Sequence, residues 1–202
     1  MKKIQILLVV LSGVFLATPA LAQQGGYVGA GFLSASTKNA DDFAVVFTGP
    51  GASGDKSATG LKVYGGYMWG RYGLEAGFYD LGTYDVKNSV GTKTDEFKTS
   101  AVTVSGVGAI PLNPALNLYF KLGLAFTSAD YTCKVGCGGP VFVNTSKSGV
   151  STLLGVGLGW QVTRTFVVRG DLEIFDNVKH AAGIVSNDAT YTTFSVSGQY
   201  NF

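Results

Sequence analysis

An all-β, eight-stranded antiparallel transmembrane barrel is the fold class that this sequence predicts. Three observations predict it. Apolar positions recur with a period of two through stretches of roughly 9–11 residues, the length a tilted strand needs to cross a bilayer. The connections between those stretches alternate between short and long. The chain holds 29 glycines and 12% aromatic residues but only 14% charged ones, a composition poor for helices and good for strands.

The chain opens "MKKIQILLVVLSGVFLATPALAQQGG". Lys2 and Lys3, the apolar stretch from Ile6 to Ala17 and the small residues around Ala20 and Ala22 form the pattern of a secretory signal peptide. The apolar part is too short for a membrane span, and no cysteine follows it as a lipoprotein would require. The expected domains are therefore 1–22, a signal peptide, and 23–202, an outer-membrane barrel. Without Lys2 and Lys3 the 15 basic residues become 13, equal to the 13 acidic ones. A neutral exported chain offers no electrostatic footprint for nucleic acid.

The first expected strand, Gly26–Ala35, follows the leader. Thr59–Trp69 and Tyr72–Leu81 are separated only by "GR", Thr99–Pro111 and Leu116–Ser128 only by "LNPA", and Gly149–Val162 and Phe166–Phe175 only by "TRT". Thr190–Phe202 closes the set. The long connections, 36–58, 82–98, 129–148 and 176–189, are rich in Gly, Ser, Thr, Asn, Asp and Lys, as loops should be. Short periplasmic turns and long extracellular loops are the outer-membrane arrangement. A soluble lipocalin-like barrel also has eight strands, so strand number does not decide.

Facing decides. One face of "LNLYFKLGLAF" carries Leu116, Leu118, Phe120, Leu122, Leu124 and Phe126, and the other carries Asn117, Tyr119, Lys121, Gly123 and Ala125. Leu154, Val156, Leu158 and Trp160 stand against Gly155, Gly157 and Gly159. Val168, Leu172 and Ile174 stand against Arg169, Asp171 and Glu173. Glycine faces cannot fill a core, so the bulky faces are expected toward lipid and the small or charged ones toward a narrow lumen. Trp69, Tyr72, Trp160, Phe166, Tyr200 and Phe202 all fall at the expected periplasmic strand ends, where aromatic girdles form.

The stretches "GGYVGAGF", "LKVYGGYMWGRYGLEAGFYDLG", "VVRGDLEIFDNV" and "YTTFSVSGQYNF" resemble the small eight-stranded outer-membrane barrels of the type formed by the membrane domain of outer membrane protein A. The resemblance covers essentially the whole chain after the leader. It implies an integral outer-membrane protein whose partners are outer-membrane lipid and the barrel-assembly machinery. In that family a terminal aromatic residue is an assembly signal, a role that Phe202, with Tyr200, matches. The family's optional peptidoglycan-binding domain is expected to be missing, so the resemblance implies no tether to the cell wall.

Six charges fall on inward faces: Lys62, Glu75, Lys121, Arg169, Asp171 and Glu173. Unpaired charge in a narrow interior is costly, so they are expected to pair. A plug of ion pairs is preferred over a gated pore, because eight strands enclose only enough room for side chains. Cys133 and Cys137 in "CKVGC" are expected to form a disulfide in the third long loop, since no neighbouring His or Cys completes a metal site. His180, the only histidine, is expected in the fourth long loop. Ser186, Asp188 and Asp176 are near it in sequence, but an exposed loop histidine is preferred over a catalytic one. No cofactor is expected. The expected function is a non-enzymatic structural or surface-interaction protein presenting four loops, which offer sites for host or extracellular ligands. A small gated channel and a lipid-modifying enzyme are the alternatives.

Overall fold

The computed structural model describes residues 25–37, 53–87, 93–133, 145–182 and 185–202. Among them are eight long strands: β1 (Gly25–Thr37), β3 (Ser57–Trp69), β4 (Tyr72–Lys87), β5 (Lys93–Asn113), β6 (Leu116–Cys133), β7 (Thr145–Gln161), β8 (Phe166–Ala182) and β9 (Val185–Asn201). A two-residue strand, β2 (Ser53–Gly54), pairs with the loop end of β4. The long strands pair antiparallel in the ring β1-β3-β4-β5-β6-β7-β8-β9, and β9 returns to β1. Closure leaves no strand edge, which hydrocarbon demands because no water is there to satisfy a bare ladder.

At the turn end the connections are as short as the sequence indicates. Trp69 pairs with Tyr72 across Gly70 and Arg71, and Gly70 takes the positive φ (79°) that a two-residue hairpin uses. β5 runs two residues past Pro111 to Asn113 through a bulge, so Pro114 and Ala115 alone form the next turn. The Asn113 side chain caps it by accepting the Ala115 N–H at 2.8 Å.

At the loop end the strands exceed expectation. β4 continues to Lys87, β5 begins at Lys93, β6 reaches Cys133, β7 begins at Thr145, β8 reaches Ala182 and β9 begins at Val185. Much of 82–98, 129–148 and 176–189 is therefore wall rather than loop. His180 belongs to β8, where its backbone pairs with Asn187, and Cys133 ends β6 opposite Asp95. Cys137, the signal segment and the side chains of Cys133, His180, Ser186 and Asp188 lie outside the described residues.

Outward side chains form an apolar belt. On β6 it runs from Leu116 to Phe126. Ten residue steps of roughly 3.4 Å, inclined by about 40°, stand roughly 25 Å tall, the height of the lipid-facing band of outer-membrane barrels. Trp69, Tyr72, Trp160, Phe166 and Tyr200 ring its turn end, all exposed on the outer face.

Candidate functional site in the barrel lumen

The lumen is filled in three layers. Nearest the turns, Tyr27, Tyr64, Met68, Val107 and Tyr119 pack together. In the middle are the six charges. Toward the loops, Leu33, Tyr79, Leu81, Tyr84, Phe97, Tyr131, Leu153, Phe175, Val178 and Tyr191, with several alanines, form one buried cluster.

All six charged residues are buried, Arg169 to 1% exposure. They form a closed ring of alternating sign. Lys62 Nζ meets Asp171 at 2.6 Å and Glu173 at 3.3 Å. Lys121 Nζ meets Glu173 and Glu75, both at 2.7 Å. Arg169 meets Glu75 at 3.0 Å and Asp171 at 3.1 Å, which closes the circuit. Each cation thus touches two acids and each acid two cations. Lys62 reaches across the lumen to β8 rather than to Glu75 on the adjoining strand. β4 and β8 lie opposite one another in the ring of strands, so Glu75–Arg169 spans the barrel.

Aromatic and amide side chains add further contacts, and among the ring's donors Arg169 Nε is left without a hydrogen-bond partner. Tyr27 donates its hydroxyl hydrogen to Glu75 at 3.0 Å, and Tyr79 donates to Glu173 at 2.9 Å. Arg169 also donates to Gln199 Oε1 at 3.0 Å, and Gln199 donates onward to Asn201 at 2.7 Å. The Arg169 guanidinium stacks over the Tyr119 ring at 4.6 Å and the Tyr64 ring at 5.0 Å. The glycine face of β7 makes room for this. A Cβ at Gly157 would collide with the Asp171 carboxylate, and one at Gly159 would come within 2.5 Å of the Tyr119 ring. Small residues on one strand are the space into which long residues of β6 and β8 fold.

Tyr27, Tyr64 and Tyr79 are the site residues that charge-seeking inspection misses. The signal was present: Tyr64 is two residues from Lys62 and Tyr79 four from Glu75, so period two puts each beside a known inward charge. Asn201, Gln199, Ser197, Ser195 and Thr193 are buried, while Tyr200 and Phe202 face outward with their rings 5.4 Å apart. The Phe202 N–H donates to the Gly26 carbonyl at 2.9 Å, one step beyond the end of β9.

A model of the OmpA-like transmembrane domain matches residues 22–202, all that follows the expected leader. The chain belongs to that family. Two curated relatives are the outer membrane protein A of Serratia marcescens, 28% identical over 148 residues, and that of Klebsiella pneumoniae, 28% identical over 144 residues. These alignments take in 73% and 71% of this chain but 40% and 41% of the relatives, so the chain spans about two fifths of their length. Among solved structures, OprG of Pseudomonas aeruginosa superposes with a TM-score of 0.63 at 15% identity, covering 90% of this chain and 97% of that one. Neisserial surface protein A gives 0.59 at 15% identity, covering 88% and 97%. Ail of Yersinia pestis gives 0.54 at 20% identity, covering 89% and 99%. At these identities the likeness is one of fold. Fold and family together place this OmpA-like barrel in the bacterial outer membrane, integral to the bilayer.

Proposed function

We propose that this OmpA-like barrel is a non-enzymatic surface protein, closed at rest, that holds four extracellular loops on a rigid wall. The observation that carries the reading is the filled lumen. Each charge of the ring has two partners of opposite sign, and above it Tyr79 and Phe175 meet across the barrel at 5.3 Å. Charges engaged with one another in this way are not arranged to receive a substrate. Planar-bilayer recording tests the reading: no large steady conductance is expected, and such a conductance in the wild-type protein would refute a closed lumen. Its proposed partners are outer-membrane lipid along the belt, the barrel-assembly machinery acting on the Tyr200–Phe202 end, and surface ligands at the loops. Cys133 and Cys137 are proposed to be bridged in the exported protein, and two labelled thiols after denaturation without reductant would refute that.

A gated channel is the second reading, and the ring topology is what favours it. Because every charge has two partners, one pair can part without leaving either member bare. A lumen rearrangement of that kind avoids the large cost of an isolated buried charge.

A further inference from the structure

The outer wall carries a concavity of about 470 Å3 where β1, β3, β4 and β5 leave the lipid belt. Ser34, Thr59, Asp80, Gly82, Thr83 and Lys98 are among the residues that line it. A bulge in β4 creates it. The β3–β4 ladder ends at Leu61 and Asp80, whereas β1–β3 runs on to Ser36 and Ser57, and β4–β5 resumes at Thr83 and Lys98. Gly82 has φ +88°, and a Cβ there would come within 2.6 Å of the Thr59 carbonyl, so glycine is what lets the backbone fold back. Bulges commonly re-aim side chains toward a site.

The chemistry of the lining is mixed. The Asp80 carboxylate is held in place by accepting the Gly82 N–H at 3.1 Å. The Lys98 ammonium stands 3.9 Å from Asp80 and is 58% exposed. Ser34, Thr59 and Thr83 bring hydroxyls to the same lining. Immediately toward the membrane, the same four strands present two lipid-facing cross-strand pairs, Phe32 with Leu61 and Phe78 with Val102. A polar recess directly above an apolar wall fits an amphiphile with its head up and its chains down.

We propose that this concavity holds the phosphorylated sugar head of an outer-leaflet glycolipid. Lys98 supplies a point charge for a phosphate. Asp80 and the hydroxyls exchange hydrogen bonds with sugar hydroxyls, and the acyl chains lie over the Phe32–Leu61 and Phe78–Val102 pairs. Free phosphate would engage Lys98 and the hydroxyls but has no chains for the apolar wall, and the two glycerol hydroxyls of phosphatidylglycerol offer Asp80 fewer partners than a sugar ring does. The site is on the outside of the wall, so it does not depend on the lumen being closed.

The test is thermal unfolding of the full chain in detergent, titrated separately with purified lipid A, phosphatidylglycerol and inorganic phosphate at matched phosphorus. Lipid A is expected to raise the Tm saturably, and the other two to do so far less. Lys98→Ala should weaken the apparent lipid A affinity by roughly tenfold, as loss of one charge-assisted contact does. Lys98→Arg should restore most of it. Lys147→Ala, at an exposed lysine on β7, should leave the affinity unchanged. Equal shifts with phosphatidylglycerol or phosphate, or the same affinity for Lys98→Ala as for wild type, would overturn the proposal. So would a loss in Lys147→Ala matching that in Lys98→Ala. Should Lys98→Ala fail to fold, the double variant Ser34→Ala, Thr83→Ala keeps every charge, and an undiminished lipid A affinity in it would equally overturn the proposal.

Discussion

The lower and upper parts of this wall are built from the same strands with opposite orientation of polarity. On β8, Val168, Leu172 and Ile174 face out and Arg169, Asp171 and Glu173 face in; a few residues on, Asp176 faces out and Phe175 and Val178 face in. On β9, Val196 and Phe194 face out over Ser197, Ser195 and Thr193, and then Tyr191 and Ala189 turn inward. On β4, Leu74 and Phe78 face out over Glu75, and then Asp80 and Thr83 lie outside Tyr79, Leu81 and Tyr84. The backbone barrel is continuous through the change. What changes is the solvent outside it. Below, lipid takes the apolar face and the lumen must be polar and self-paired. Above, water takes the polar face and the interior closes as an ordinary apolar core. The molecule is an inside-out barrel continued by a right-way-out one.

The comparison breaks most severely if the upper core is emptied. Phe175 is fully buried and packs on Tyr79 across the barrel. Phe175→Ala is expected to cost about 3–5 kcal/mol, the range for deleting a large core aromatic. Denaturant unfolding in lipid vesicles would measure it, and a cost under about 1 kcal/mol would mean the upper cluster is not a packed core.

A slightly smaller effect separates the two outer faces. Leu122 lies midway along the β6 belt and is 62% exposed. Arginine there should cost about 2–4 kcal/mol, as it does near a bilayer midplane. Thr132 faces outward on the same strand in the extension, and Thr132→Arg should change stability by no more than about 0.5 kcal/mol. Equal costs at the two positions would place the membrane boundary elsewhere.

The ring gives a third, smaller effect. In Arg169→Ala, Glu75 keeps Lys121 and Asp171 keeps Lys62. Two lysines then face three acids, but every acid still touches one of them, so the expected loss is about 1–3 kcal/mol, below the cost of stranding a buried charge outright. A loss much above that range would show that the ring acts as a unit rather than pair by pair.

How much of this was legible depends on which side of the polarity change a residue occupies. In the membrane zone strict alternation names the wall strands, their facing and the six inward charges. The expected strands ended at Leu81 and Phe175 because the period slips there: β4 carries a bulge between Asp80 and Thr83, and β8 one between Phe175 and Val178. Asn177 absorbs the second with φ 61°, a conformation asparagine tolerates. Each bulge returns an apolar residue, Tyr84 or Val178, to the interior, and a period-two reading cannot follow that slip. On the other strands the outer face simply becomes Ser, Thr, Asp and Lys, the composition of loops, so the extension looked like loop. The ring's topology was not legible at all, because alternation fixes facing but not which of three cations meets which of three acids.

The smallest expected effect is also the one that separates the two halves most sharply. A charge plug acting alone would make Arg169→Ala an opening variant. The upper core changes that expectation. It receives side chains from all eight wall strands, Ala58 of β3 included, and Tyr84 and Tyr191 add a second contact across the lumen at 5.6 Å. Ions that gained access to the loosened ring from the periplasmic side would still face the packed upper cluster, and hydrophobic constrictions block conduction by dewetting. Arg169→Ala should therefore show the conductance of the wild-type protein, and Phe175→Ala alone should show little more because the ring beneath it is intact. The double variant should conduct in brief openings at matched insertion. Frequent openings in Arg169→Ala by itself would mean that the ring is the sole barrier and the upper core leaks. A silent double variant that still migrates as a folded barrel would mean that the tyrosine and methionine layer near the turns is a third barrier, and that the wall holds its lumen shut along its whole length.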